Sequence, residues 1–453
     1  MASTYLTRAF SSNTSSTKCT WSFWVKFSAV NTGSNSSMLF EARNANNSSA
    51  YRTFIRYGDN ATLDFLVYNG SSSLVGEYYT KRKFRDCNSW YHICYSIDTT
   101  LSTASDRLKL YVNGVRETEF ITDNYTELPQ NEAVKTTSSV FTDISRNGGS
   151  AGYYFNGILS HYILTDGYVY QADTFGSTDT TTGEWKINAD PTISNWGSNG
   201  FWILKDGNSV TDSSPNSNTF TVGGGTLTST KDSPSNVFAT LNPLDTFAET
   251  DYSNGNTKST RSAGSYRSAF STLGFTTGKY YAEFKVADVA NGNGLGVLNL
   301  DKSPYGTYIS SAEKYVGIND NAVGLFSNIL YYNNVNQGGT WTSWSNGNII
   351  GLAVDATNGY AYWSVNGTWQ NSGNPTAGTG GYALSNIGSN GTYVMGCSNS
   401  TSSTEVNFGN GYFGTTAVTT NSGNGYAGAE GASKFNYQPP TGYSALNTKG
   451  LNA

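Results

Sequence analysis

The sequence predicts an all-β protein: two antiparallel β-sandwiches joined by a linker. Three observations lead there. Charged residues make up only 13% of the 453, whereas Gly supplies 50 and Pro 9, and the polar residues are mostly Ser, Thr and Asn. That composition disfavours long helices. The 32 Tyr, 22 Phe and 10 Trp exclude a disordered chain and are enough to fill large cores. Short runs of period-two alternation recur along the chain, most of them ending in Asn, Asp or Gly, which tolerate left-handed turn geometry.

The first run is TWSFWVKFS, where Trp21, Phe23, Val25 and Phe27 point one way and Ser22, Trp24, Lys26 and Ser28 the other, as in a half-buried strand. YRTFIRYG (51–58), TLDFLVYNG (62–70), SWYHICYSID (89–98) and RLKLYVNG (107–114) read as further strands. YYFNGILSHYILTDG (153–167) reads as two more, broken at Asn156-Gly157, and GFWILKDG (200–207) closes the set.

Between Thr211 and Val237 the periodicity fades around the triple glycine Gly223 to Gly225, which predicts a linker. The expected division is therefore a sandwich over 1–222, a linker over 223–240 and a second sandwich over 241–453. Strands of the second are expected in YRSAFSTLGF (266–275), KYYAEFKVAD (279–288), GLGVLNLD (294–301), KYVGIND (314–320), NIIGLAVDA (348–356), YAYWSVNGTW (360–369), TYVMGCS (392–398) and TEVNFGNG (404–411). Within NIIGLAVDA, Ile350, Leu352 and Val354 alternate against Ile349, Gly351 and Ala353. Asp355 with Asn358-Gly359 then makes a hairpin turn into the next strand.

A formal charge of −5 with no basic stripe argues against a nucleic-acid partner. The longest apolar runs, such as Ile349 to Val354, are far below the ~20 residues that span a bilayer, so membrane insertion is not expected. The opening MASTYLTRAF lacks the apolar core of a secretory signal, which predicts synthesis and folding in a cytoplasm. Cys19, Cys87, Cys94 and Cys397 form no CxxC pair and no metal spacing with the two histidines, His92 and His161. Cys19 is placed to face Cys87 or Cys94 across strands, although free buried cysteine is the ordinary state.

Catalysis finds little support. Both histidines fall mid-strand, where a packed imidazole is the ordinary outcome, and Cys94 shares a face with His92 only as any i, i+2 pair does. The carboxylate pattern of sandwich glycosidases, Glu-x-Asp-x-x-Glu, is approached only by ETDYSN (249–254), with Asn254 in the last place. Glu117 and Glu119 share a face without a neighbouring Asp or Trp. No enzyme activity is therefore expected. No cofactor is called for; calcium is the one ion that the loop acids Asp166 and Asp173, or Asp59 near Asp64, would suit. The candidate binding residues are Tyr331, Tyr332, Trp341 and Trp344, in a run of Asn, Gln, Ser and Gly that suits sugar stacking with amide hydrogen bonds.

The strings YLTRAFSSNTSSTKCTWSFWVKF, WYHICYSID, DRLKLYVNGV and FNGILSHYILTDG, in that order, resemble the concanavalin A-like or laminin-G-like sandwich of tailed-bacteriophage virion proteins. GKYYAEFKV, NIIGLAVDATNGYAYWSVNGTWQNSGNPTAG, EVNFGNGYF and PPTGYSALN are similar to SPRY domains appended to such proteins, and FGSTDTTTGEWKI, GFWILKD and DSPSNVFATLNPLD look like their joining segments. The resemblance covers nearly the whole chain. It implies a virion structural protein, a head or tail fibre or an appendage, that attaches to the host surface through a glycan. Its partners would be other virion subunits and a host glycan or receptor, with a homotrimer as the assembly that fibres commonly adopt. The glutamate pair of the glucanases finds no matching positions, so no catalytic residue carries over. The alternatives are a bacterial surface lectin or adhesin, a glycan-degrading enzyme on the same scaffold, and a peptide-binding SPRY module.

Overall fold

In the strand Lys18–Phe27, the alternating Trp21, Phe23, Val25 and Phe27 all enter one core, as alternation requires. The computed structural model describes residues 3–33, 36–44, 51–148, 152–205, 209–244, 250–288, 292–302 and 315–452. The chain divides into two units, Met1–Ser229 and Thr230–Ala453. Both are built of antiparallel sheets, and the described helices are single turns such as Ala104–Arg107 and Thr448–Leu451.

The first unit packs a seven-stranded sheet on a six-stranded one. The seven strands run in the order Thr221–Gly224, Tyr5–Thr7, Phe141–Ile144, Ser37–Arg43, Arg52–Tyr57, Leu63–Tyr68, Leu74–Tyr79. The six run Phe201–Ile203, Gly157–Asp166, Lys18–Phe27, Tyr91–Asp98, Leu108–Val112, Val115–Glu117. Rings lock the two sheets together: Trp21 lies edge-on to Phe40 at 5.2 Å, Phe65 meets Tyr95 at 5.0 Å, and Phe27 meets Tyr57 at 4.2 Å. Such pairs add to plain area burial.

Three sequence expectations change here. Lys18–Phe27 is buried on both faces, because Ala172, Phe175, Trp185 and Trp196 cover the outside of the six-stranded sheet. The segment 153–167 holds one strand, Gly157–Asp166. A bulge between Ser160 and Ile163, with His161 at φ 47°, interrupts its pairing in place of a turn at Asn156-Gly157. Gly223 and Gly224, expected in the linker, lie in the edge strand Thr221–Gly224 beside Tyr5–Thr7. The ring of Tyr5 occupies the space their side chains would need. All four cysteines are free and buried, the ordinary state expected of them.

In the second unit the longer sheet follows the order Asp251–Ser253, Lys258–Arg261, Ser402–Asn407, Lys279–Asp288, Ile349–Asp355, Tyr360–Val365, Thr368–Trp369, with two short strands beside it. The other sheet runs Arg267–Phe270, Tyr393–Asn399, Asn293–Asn299, Ala322–Phe326, Ile329–Tyr332, Val335–Asn336. Ile350, Leu352 and Val354 enter the core, and the hairpin turns where expected: Gly359 takes φ 75° while Asp355 Oδ1 accepts from the Asn358 N–H at 2.9 Å. Trp363 spans the sandwich, its buried indole N–H donating to the Leu295 carbonyl at 3.0 Å. Tyr315 to Asp320, expected as a strand, is a turn, and Lys314 lies outside the described residues. Val316 and Ile318 from that turn pack on the outside of the six-stranded sheet, where Val316 N–H donates to Ser398 Oγ at 2.8 Å.

The outside of the longer sheet is covered by Phe435 and Tyr443, and Glu283 holds the covering segment in place. Its fully buried carboxylate accepts from Tyr437 N–H at 2.7 Å, Asn436 N–H at 2.8 Å, Tyr281 O–H at 3.2 Å and Asn407 Nδ2 at 3.3 Å. Burial pushes this carboxyl up to about 7, against those donors, from an ordinary 4.5. The folded state then holds a proton that the unfolded chain has already released. Stability from this group therefore falls as pH rises through that window.

Two outcomes are expected. Replacing Trp363→Phe keeps the ring but strands the Leu295 carbonyl, so denaturant unfolding should show a loss of about 1–3 kcal/mol. In thermal melts from about pH 5 to about pH 8, the Tm of Glu283→Gln relative to the unmodified protein should rise with pH. A constant difference would mean that Glu283 does not titrate in this range.

Candidate functional site

Every strand that sends alternate residues into the core sends the others outward, and the seven-stranded sheet has the most unusual outward set. From Ser37–Arg43 come Met38, Glu41 and Arg43; from Arg52–Tyr57 come Arg52, Phe54 and Arg56; from Leu63–Tyr68 come Asp64, Leu66 and Tyr68. Tyr79 and Asp143 extend the face on either side. Its apolar patch, Met38, Phe54 and Leu66 with Tyr68 and Tyr79, comes entirely from the sheet's own strands. The three other sheets are capped by residues from crossing segments.

Register places the charges in rows. Asp143 stands directly across from Glu41, Arg43 from Arg52, and Asp64 from Arg56. Arg56 Nε donates to Asp64 Oδ2 at 2.8 Å, and Arg146 Nη2 donates to Asp143 Oδ2 at 2.8 Å. Glu41 lies 3.8 Å from Arg43 Nε and 3.9 Å from Arg52 Nη1, and it accepts the Gly148 N–H at 2.8 Å. The guanidinium groups also stack on rings: Arg52 on Tyr68 at 4.5 Å and Phe54 at 5.2 Å, Arg56 on Tyr79 at 5.6 Å, and Arg146 on Tyr5 at 3.6 Å. Two glycines make room. A side chain at Gly148 would stand 2.6 Å from Asp143 Oδ2, and one at Gly58 would overlap the Asp64 carboxylate.

The depth of these groups is unequal. Side chains of Glu41, Asp64 and Asp143 are at most 1% exposed, whereas Arg52, Arg56 and Arg146 reach the surface at 14%, 24% and 13%. Burial pushes Asp64 up to about 6 in spite of Arg56, and it raises Glu41, with Arg43 opposing. Glu41 Oε1, Asp64 Oδ1, Asp143 Oδ1, Arg43 Nε and Nη2, and Arg52 Nε are buried without a hydrogen-bond partner among the described residues. Each such group costs about 1–3 kcal/mol, and here six of these atoms lie together on one sheet face.

The residues singled out in the sequence lie elsewhere. Trp344 is a core residue of the second unit, 6% exposed. Trp341 packs edge-on to buried Trp363 at 5.9 Å and donates its indole N–H to the Gly338 carbonyl at 2.7 Å. Tyr332 donates its hydroxyl to the Asn386 carbonyl at 2.9 Å, and Tyr331, on the opposite side of the same strand, packs edge-on to Phe326 at 5.7 Å. Each is engaged in the unit's own packing, and the four do not converge on one face. In the sequence, RTFIRYG and TLDFLVYNG read only as strands, which does not reveal the arginine face. The signal was present: Arg52, Phe54, Arg56 and Asp64 sit opposite core positions, where a solvated face would carry Ser, Thr or Asn.

The remaining candidates are structural. His92 is buried between Trp24 and Trp185; its Nδ1 accepts from the Trp185 indole at 3.1 Å, which leaves the proton on Nε2, facing Ser22 Oγ at 2.9 Å. Burial pushes it down to about 3, so it stays neutral. Glu117 pairs with Arg82 and Glu119 with Lys81. Asp166 accepts from Thr14 and Asn199 N–H groups, and Asp59 accepts from Ser36 Oγ. Glu249 lies outside the described residues. Among the described residues no group of three or more His, Cys, Asp or Glu side chains is placed to hold a metal ion.

Comparison with known proteins bears mainly on the first unit. Residues 2–173 match the concanavalin A-like lectin/glucanases superfamily. No curated protein matches the chain. Among solved structures, the SPRY domain of human HERC1 is 15% identical, covering 37% of this chain and 96% of that one with a TM-score of 0.28. The TRIM65 PSpry domain is 12% identical over 37% and 88% of the two chains, with a TM-score of 0.29. Stonustoxin is 17% identical over 37% and 27%, with a TM-score of 0.28. At such scores these structures carry no argument, and the superfamily match is the one that informs the site: residues 2–173 are similar to a lectin and glucanase scaffold, and nearly all of the arginine face lies within them.

Arg56→Ala should leave Asp64 as a buried, unpaired carboxylate and cost about 3–5 kcal/mol in urea unfolding above about pH 7. The deficit should shrink as pH falls through 6, because the protonated Asp64 no longer needs the guanidinium. An equal deficit at both ends would contradict the pairing.

Proposed function

We propose that this chain is a structural protein of a tailed-phage virion, a fibre or an appendage, whose first sandwich attaches the particle to a host-surface glycan. The observation that carries the glycan reading is the arginine face: orphaned buried donors and acceptors, side by side, on a scaffold similar to lectins. A sugar on this face would meet the partly open guanidinium groups of Arg52, Arg56 and Arg146, which donate to its oxygens, while Glu41, Asp64 and Asp143 hold those groups from beneath. The order of the sequence motifs supports the virion setting, with other virion subunits as the remaining partners.

Binding without turnover suits the site. Glu41 and Asp143 stand opposite each other across neighbouring strands, but both are at most 1% exposed, so neither reaches a glycosidic bond on the surface. Each also has arginines beside it, and an arginine holds a carboxylate to recognition more readily than to proton transfer. Salt-washed virions analysed by mass spectrometry should retain the protein. The purified chain should bind host envelope polysaccharide without generating reducing ends. Absence from washed particles would remove the virion role, and release of sugar would replace the binding role with an enzymatic one.

A further inference from the structure

Resting on the glycan-binding reading, we infer that the ligand of the arginine face is an acidic saccharide, one bearing carboxylate or sulfate groups, recognised chiefly by Arg52 and Arg56. Three observations carry this. First, an approaching ligand meets cations: the guanidinium groups of Arg52, Arg56 and Arg146 are partly open, while the three carboxylates lie beneath them, at most 1% exposed. Second, the rings that a neutral sugar would stack on are already taken. Arg52 lies over both Phe54 and Tyr68, and Arg56 lies over Tyr79, so the outermost planes are guanidinium planes. Third, the face carries an uncommitted cation. Arg146 is tied to Asp143 and Arg56 to Asp64, whereas Arg43 and Arg52 share Glu41 at 3.8 and 3.9 Å, beyond hydrogen-bond length.

Glu77, across from Leu66 and beside Tyr79, balances the four arginines overall, but Arg52 remains the partly open guanidinium whose nearest carboxylate lies beyond hydrogen-bond length, and an oxyanion would neutralise it. A planar carboxylate matches the guanidinium fork and would give Arg52 the second anionic partner it lacks. The stacking on Phe54 and Tyr68 holds the Arg52 plane in place before the ligand arrives, which lowers the ordering cost of binding.

The test is calorimetric titration of the full chain with three probes: hexagalacturonate, dextran sulfate and neutral maltohexaose. Preference for either acidic probe by about tenfold or more over maltohexaose supports the inference, and the two acidic arms distinguish carboxylate from sulfate. The preference should weaken between low salt and about 0.15 M salt. Arg52→Gln should lower acidic-probe affinity about tenfold, with Arg52→Lys intermediate, while its circular dichroism and melting stay close to those of the unmodified protein. Maltohexaose bound as tightly as the acidic probes overturns the inference and leaves the glycan reading standing. Binding of neither acidic probe overturns the inference as well, whereas the glycan reading falls only if host envelope polysaccharide also fails to bind. Should Arg52→Gln not fold, the preference of the unmodified protein and its salt dependence decide alone.

Discussion

Period-two alternation means that a sheet cannot have one face only, and this constraint organises the whole protein. Each strand that contributes Trp21, Phe65 or Leu352 to a core must place its neighbours on the opposite side. Three of the four large sheets resolve this by covering the opposite side with chain. Trp185 and Phe175 cover the six-stranded sheet of the first unit, Phe435 and Tyr443 the longer sheet of the second, and Val316 its companion. The low charge of the sequence follows, since most positions on both sides of most strands end up away from water. Among the described residues the seven-stranded sheet differs: its outward Met38, Phe54 and Leu66 pack with Tyr68 and Tyr79 of its own strands, beside arginines and carboxylates.

Two buried carboxylates show how differently such groups can be treated. Glu283 accepts four hydrogen bonds, two from backbone N–H groups, and the result ties the covering segment at Asn436-Tyr437 onto its sheet. Its geometry is complete. Asp64 and Glu41 lie just as deep, yet each keeps an oxygen without a partner, and the arginines above them keep unpartnered N–H groups. The difference is one of arrangement: the donors to Glu283 come from the segment it holds, whereas Asp64 and Glu41 lie beneath arginines that reach the surface.

Much of this was legible in the sequence. The alternating runs at Lys18–Phe27, Lys279–Asp288 and Ile349–Asp355 identify strands because their apolar positions face large cores, and Asn358-Gly359 marks its hairpin by turn chemistry alone. Ser37–Arg43 and Ala322–Phe326 do not read as strands, because a bulge in the first puts the adjacent Leu39 and Phe40 both into the core and the second is only five residues long. The glycines at 223 and 224 look like a linker, but what they supply is room for the ring of Tyr5, a contact made more than 200 residues away in the chain. The site is hidden in the sequence because it depends on packing across strands. Trp341 and Trp344 look available amid Asn and Ser, but their rings pack on the core; Arg52 and Arg56 look like ordinary strand charges, but register sets them beside Asp64 and over Phe54. Cross-strand register is a tertiary fact that no local pattern contains.

The central claim is that the arginine face of the seven-stranded sheet, and not the aromatic loop of the second unit, is where ligand sits. Crystals of the full chain grown with an acidic oligosaccharide test this directly. The account predicts electron density for the sugar over Arg52, Phe54, Arg56 and Tyr68, with an anionic group against Arg52. Density confined to the neighbourhood of Tyr331 and Trp341, with the arginine face unchanged, would contradict it.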